Sequence, residues 1–290
     1  MRLIADSHEF GSVGDAVCDR LMASGIAASD VAIEILGAGM LEFRTTGDHR
    51  VQLQAACEGL DPVVASLVSD HAPAIPQLLV SDMDSTMIGQ ECIDELADYA
   101  GVKGKIADIT ERAMQGELDF ESALRERMAL LAGLDESAIS QCLDERISAS
   151  PGAQMLVQTL KAHGCRCVLV TGGFHHFADA VGQELGFDRV VGNRLEVANG
   201  RLTGQLVGSI TDASTKRAVL HEEAAALGEG ALTLATGDGA NDIPMLQAAD
   251  YGFAYRAKPK ARAAANGRVD GVELTSILTL FGIGKSDWLA

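Results

Sequence analysis

Three stretches of this chain are apolar for nearly their whole length, and each runs straight into a polar turn: Leu78 to Asp82, Arg166 to Thr171 and Ala231 to Thr236. Segments with helical spacing separate them. A strand that is apolar on both faces needs cover on both faces, which a parallel sheet flanked by helices supplies. Tyr251 to Ala254 is predicted as a fourth such strand. The class expected is therefore α/β, with a Rossmann-like core. Sheets of this kind place their sites at the carboxyl ends of the strands.

The first turn reads Ser81-Asp82-Met83-Asp84-Ser85-Thr86. In an extended chain residues i and i+2 project to one side, so Asp82 and Asp84 converge while Met83 points away. One carboxylate could attack while the other moves protons, and a divalent cation would let both sit close together. The same residues would also serve as a plain acidic corner between strand and loop. The second turn, Thr171-Gly172-Gly173-Phe174, opens a helical stretch. A hydroxyl, two glycines and a helix N-terminus suit a phosphate. Lys216 lies at the start of a predicted helix, where a cation gains nothing from the helix dipole. The third turn, Gly237-Asp238-Gly239-Ala240-Asn241-Asp242, gathers two acids and an amide, a set that invites a hard cation with oxygen ligands.

Two insertions interrupt the alternation. Residues 89–147 are almost wholly helical in character and fall between the first and second strands, so they would sit over the strand ends as a cap. Leu195 to Gly204 reads as a β-hairpin turning at Asn199-Gly200. Residues 1–72 have the order strand, helix, strand, strand, helix, that of a small ferredoxin-like α+β unit. The prolines of His71-Ala72-Pro73-Ala74-Ile75-Pro76 mark the linker to a core over 77–88 and 148–290.

Acidic residues outnumber basic ones 41 to 23, a formal charge of −18 over 290 residues. Phosphate backbones and anionic membranes need basic surfaces, so neither nucleic acid nor membrane is an expected partner. A small anionic substrate stays compatible, because a metal ion and a few cationic side chains can reverse the local field. No apolar run approaches the ~18 residues a membrane span needs. The N-terminus lacks the charged and apolar regions of a signal peptide. The six cysteines are scattered, which fits free thiols in a reducing cytoplasm.

Taken together, Asp82-x-Asp84-x-Thr86, Thr171, Lys216 and Gly237-Asp238-x-x-x-Asp242 resemble, in order, spacing and strand-end position, the four motifs of the haloacid dehalogenase (HAD) superfamily of phosphotransferases. The resemblance covers residues from about 77 to 285. Within the cap, the run from Asp82 through Glu91 to Ala97, then Ile109 to Phe120 and Ser122 to Arg127, resembles the bacterial phosphoserine phosphatases. Members of that family often carry an ACT-like region at the N-terminus, consistent with residues 1–72.

The resemblance implies Mg²⁺-dependent hydrolysis of O-phospho-L-serine, the last step of serine biosynthesis. Asp82 would be the nucleophile and Asp84 the general acid and base. Asp82, Asp238 and the main-chain carbonyl of Asp84 would hold the metal, and Asp242 would orient the metal's waters without touching it. Thr171, Gly172 and Lys216 would hold the phosphoryl group, with Asn241 closing the pocket floor. Glu91 would pair with the substrate amine, Arg127 would grip its carboxylate, and Met114 and Phe120 would give apolar cover. Composition and periodicity single out none of these last four, which by themselves read as solvated helix charges and cap core. Other small phosphomonoesters such as phosphoethanolamine stay open as substrates, as does phosphoryl transfer to an acceptor other than water. A non-catalytic amino-acid sensor built on the N-terminal unit is the reading from another class. The edge strands of that unit could pair two chains into a homodimer.

Overall fold

The computed structural model describes residues 1–5, 9–37, 39–60, 63–115 and 117–289, the side chain of Met114 excepted. In chain order the elements are β1 (Arg2–Ile4), α1 (Phe10–Ala23), β2 (Val31–Leu36), β3 (Met40–Thr45), α2 (Arg50–Cys57), β4 (Ala65–Leu67) and β5 (Leu78–Ser81). The cap follows as α3 (Cys92–Tyr99), α4 (Lys103–Met114), α5 (Phe120–Leu130) and α6 (Ser137–Arg146). The rest is α7 (Ala153–Ala162), β6 (Arg166–Phe174), α8 (His175–Leu185), β7 (Arg189–Ala198), β8 (Arg201–Val207), α9 (Ala213–Leu227), β9 (Thr233–Gly237), α10 (Ile243–Ala248), β10 (Tyr251–Tyr255), α11 (Pro259–Ala264), β11 (Gly267–Val269) and α12 (Ser276–Leu280).

One sheet runs through the molecule in the order β2-β3-β1-β4-β11-β10-β9-β5-β6-β7-β8. From β11 to β7 all neighbours are parallel. The period of two is visible in what each face buries. Leu79, Cys167, Leu169, Leu234 and Phe253 join one apolar cluster with Leu156, Leu160, Phe177 and Val181. Leu78, Val80, Val168, Val170 and Ala235 join another with Val219, Leu220 and Leu246. The chain moves outward from β5 to β7, then returns to β9 on the other side of β5. The connection order therefore reverses between β5 and β9, and the crevice at their carboxyl ends is where such a sheet binds ligands.

The N-terminal unit gains a strand that sequence periodicity missed. The three residues of β4 pair antiparallel with β1 on one side and with β11 on the other. This completes the ferredoxin-like order β4-β1-β3-β2 and makes the sheet continuous across the expected linker. Arg268 of β11 reinforces the joint by donating to the Cys57 carbonyl and the Glu58 carboxylate. The outer strand β2 ends the sheet with Ile33 and Ile35 exposed.

Every named element among the described residues of the cap is a helix, as expected. Its apolar faces (Leu96, Ile106, Leu124 and Met128) share a cluster with Met83, Met87 and Phe174 of the core. The hairpin turn at Asn199 and Gly200 has φ of 53° and 73°, as a two-residue turn of this kind requires. No described helix is long and apolar enough to cross a membrane.

Candidate active site

The end of β5 is pinned before it turns. Asp82 N donates to Thr236 O of β9 at 2.9 Å, so the ladder extends one residue past the strand. Ser81 Oγ donates to the Asp82 carbonyl and Thr236 Oγ1 to Ser81 Oγ, both at 2.7 Å. The chain then coils so that the amides of Thr86, Met87 and Ile88 all point at the Met83 carbonyl. Met83 itself is fully buried and points into the core, while Asp82 and Asp84 line one pocket.

The turn after β9 folds under this pair. Asp242 Oδ2 accepts from the amides of Asp238 at 3.2 Å and Gly239 at 2.9 Å. A Cβ on Gly237 would overlap the Asp242 carboxyl group, so only glycine permits this packing. Lys216, in the first turn of α9, is 1% exposed; its Nζ lies 2.6 Å from Asp82 Oδ1 and 2.7 Å from Asp242 Oδ1. Asp212 sets that first turn by accepting from Thr215 N at 2.9 Å. Burial alone would lower the lysine's pKa, but Asp242 and Asp82 more than offset it and keep the ammonium charged.

Positive charge is nonetheless scarce here. One oxygen each from Asp82, Asp238 and Asp242 lie within 4.8 Å of one another. Burial first, then Asp242, pushes the Asp82 carboxyl above the usual range against the pull of Lys216. Burial likewise raises Asp238 to about 6, with Lys258 opposing it. Three buried carboxylates that share one buried ammonium suit a hard divalent cation with oxygen ligands.

Above these acids lies a pocket of about 210 Å³. Its lining brings together most of the residues named from sequence: Asp82, Asp84, Glu91, Phe120, Arg127, Thr171, Gly172, Asp238 and Asn241. Lys216 and Asp242 are buried and are not part of that lining. The side chain of Met114 lies outside the described residues. Glu91 precedes α3 and accepts from Ser85 Oγ at 2.8 Å; Ser85 is held at φ 55°, strained for a residue other than glycine. Burial, then Glu91, pushes the Asp84 carboxyl up to about 7. Arg127, on α5, is half-buried and donates Nε to Ala123 O at 3.3 Å.

The second turn differs from expectation. It leads into a helix later than expected: β6 continues through Thr171, Gly172 and Gly173 to Phe174, which caps α8 at His175. Strand geometry, not a helix N-terminus, presents these amides. Thr171 Oγ1 accepts from Gly173 N at 2.8 Å.

Two contributors went unseen in the sequence. Lys258, just past β10, donates its amide to Asp238 O at 2.9 Å and holds Nζ 3.6 Å from Asp238 Oδ2. It sits in a strand-end turn like the others, so the same positional reasoning would have found it. Asn193, in the middle of β7, carries no such mark.

Fold and site together define a Rossmann-like α/β protein with a capped acidic site at the sheet's switch point. A family model for haloacid dehalogenase-like hydrolases matches residues 79–247, more than half of the chain. The chain is 43% identical over 236 residues to a phosphoserine phosphatase of Streptomyces coelicolor, covering 81% of this chain and 57% of that protein's length. A solved phospho-aspartyl intermediate analogue of a phosphoserine phosphatase superposes with a TM-score of 0.64 at 36% identity, covering 70% of this chain and 98% of that one. A HAD-family hydrolase of Salmonella enterica serovar Typhi superposes with a TM-score of 0.81 at 23% identity, over 97% of this chain and 98% of that one. That last likeness concerns the fold alone, and it takes in the N-terminal unit. This protein belongs to the haloacid dehalogenase-like hydrolases.

Proposed function

We propose that this enzyme hydrolyses O-phospho-L-serine to L-serine and inorganic phosphate, as the closing step of serine biosynthesis in the cytoplasm. The observation that carries the reading is the shared lining of one small pocket by Asp82 and Asp84 with Glu91 and Arg127. Beyond its phosphate, phosphoserine offers an ammonium for Glu91 and a carboxylate for the fork of Arg127. The relatives' activity supports the same substrate. The six cysteines, all free, fit a reducing compartment.

Asp82 attacks phosphorus in line and forms an aspartyl-phosphate as the serine oxygen leaves. Asp84, held protonated near neutral pH by burial and by Glu91, gives that oxygen its proton. Water then attacks phosphorus, Asp84 takes the water's proton, and phosphate leaves with Asp82 restored. Thr171 already accepts from Gly173 N, so its hydroxyl hydrogen is free to donate to a phosphoryl oxygen. Lys216 commits two N–H groups to Asp82 and Asp242 and keeps a third for the same group. The Gly172 amide completes the set, and Asn241 closes the floor. Phe120 stands over Gly172 and excludes water.

The oxygen-rich, charge-starved acids fit Mg²⁺. Asp82, Asp238 and the Asp84 carbonyl would hold it, and it would offset the repulsion between the Asp82 carboxylate and the phosphate. Asp242 has both oxygens engaged by Lys216 and the two amides, which suits it to steadying the Asp238 turn and the waters nearby.

The test is phosphate release from L-phosphoserine and from phosphoethanolamine, with Mg²⁺ or with EDTA, by wild type and Asp82→Asn. Release is expected from L-phosphoserine with Mg²⁺ only, and is lost in Asp82→Asn. Equal use of phosphoethanolamine, which lacks the carboxylate, would overturn the substrate; release by Asp82→Asn would overturn the mechanism.

A further inference from the structure

The parallel ladder between β6 and β7 skips. It pairs Val170 with Val191, then resumes at Phe174 with Asn193. Three residues of β6, Thr171 to Gly173, therefore face the single Gly192 of β7. Surplus residues on one strand bend it and leave backbone groups without ladder partners. Here the surplus is the segment that turns Thr171 and Gly172 toward the pocket. Gly192 lets the strands stay close: a Cβ there would lie 3.2 Å from Thr171 Cγ2 and 3.3 Å from Gly173 O.

Gly172 is only half-buried, but its carbonyl has left the ladder and takes a partner from elsewhere. Asn193 supplies it. Its side chain is 2% exposed, and Nδ2 donates to Gly172 O at 2.7 Å. Its other end is also engaged: Oδ1 accepts from Thr211 N at 2.9 Å. Thr211 is buried and directly precedes Asp212, the residue that caps α9 and so places Lys216. One amide side chain thus clips the bulged end of β6 to the start of α9. The short planar amide of asparagine carries both the donor and the acceptor that this clip uses.

We propose that Asn193 is a positioning residue that holds the Gly172 amide and the Lys216 ammonium at a fixed separation, so that both meet one phosphoryl group. The proposal rests on the phosphatase reading above. Asn193 touches no substrate; it acts through the two segments it joins. Its removal would spare the Glu91 and Arg127 end of the pocket, which the cap supplies.

Steady-state kinetics of wild type, Asn193→Ala and Asn193→Asp on L-phosphoserine test this, with inorganic phosphate and L-serine as product inhibitors. Aspartate keeps the shape and the acceptor for Thr211 N but has no donor for Gly172 O. Since displacement by about 1 Å can cost ~10²-fold, both variants are expected to lose about 10²-fold in kcat/KM. The inhibition constant for phosphate is expected to rise about tenfold and that for L-serine to move less than about twofold, because only the phosphoryl donors shift.

A folded Asn193→Asp with kcat/KM within about twofold of wild type would overturn the proposal. Equal weakening for phosphate and serine, the mark of general loosening, would do so too. Failure of both variants to fold would reduce Asn193 to a framework residue and overturn it as well. If wild type does not turn over L-phosphoserine, the substrate reading falls; the same comparison on p-nitrophenyl phosphate, with phosphate as inhibitor, still decides the role of Asn193.

Discussion

Lys216→Met removes the buried ammonium of the site while keeping a side chain of similar length. The lysine is 1% exposed and its two partners have side-chain exposures of 6% and 0%, at 2.6 and 2.7 Å. Taking one member from a buried ionic cluster costs about 3–5 kcal/mol, because the remaining charges stay buried without compensation. Against a total stability of about 5–15 kcal/mol this is a large fraction. Guanidinium unfolding in EDTA, which excludes rescue by a divalent cation, measures it. The loss should also depend on pH. Without the lysine the Asp82 carboxyl, already raised by burial and Asp242, rises further above its unfolded value. A group raised in the folded state favours folding most below its unfolded pKa, and that favour is lost as pH rises through the folded pKa. The deficit should therefore be largest at high pH and shrink as pH falls and Asp82 takes up its proton. A loss under about 1 kcal/mol, or one that does not shrink on acidification, would refute the reasoning.

Gly173→Ala would put a Cβ 3.0 Å from Asp84 Oδ2 and 3.1 Å from Thr171 Oγ1; kcat is expected to fall about 10²-fold in a phosphate-release assay. Arg127→Ala should raise KM for L-phosphoserine by about 10²-fold in a phosphate-release assay, the cost of losing one partner of a charge pair. Glu42→Gln should destabilise by about 3 kcal/mol, since Glu42 is 4% exposed and accepts from Arg2 at 2.8 Å. Burial pushes the Glu42 carboxyl up, but the hydrogen bonds from Arg2 and Arg44 win and hold it below the usual range. Its contribution is present above the unfolded pKa and is lost as pH falls through the folded one. Thermal melts of variant and wild type should accordingly converge in acid.

What could be read in advance follows from how each element is stabilised. β5, β6 and β9 are covered on both faces, so Leu78 to Val80, Cys167 to Val170 and Leu234 to Ala235 are apolar without a break. β4 and β11 are three residues each and carry Ser66 and Arg268 at their centres; pairing with each other, not periodicity, makes them strands. The first part of β7, Arg189 to Val191, is only half-buried and shows no apolar run. The extension of β6 past Thr171 was hidden because a bulge, not a helix start, accommodates the two glycines. Asp82, Asp84, Asp238 and Asp242 stood out because they gather, with glycines and an amide, where apolar strands end. Glu91 and Arg127 belong to the helical cap, where charges are ordinary, and only a family resemblance singled them out. Asn193 works through two hydrogen bonds to segments distant in sequence, which no local pattern encodes.

The central claim is that Asp82 carries the phosphoryl group between substrate and water. Acid quenching of the enzyme during turnover of L-phosphoserine, followed by peptide mass spectrometry, tests it directly. The account predicts one phosphoryl group on the peptide containing Asp82, absent from Asp82→Asn and lost on incubation with base. A phosphorylated residue elsewhere, or undiminished turnover by Asp82→Asn, would contradict it.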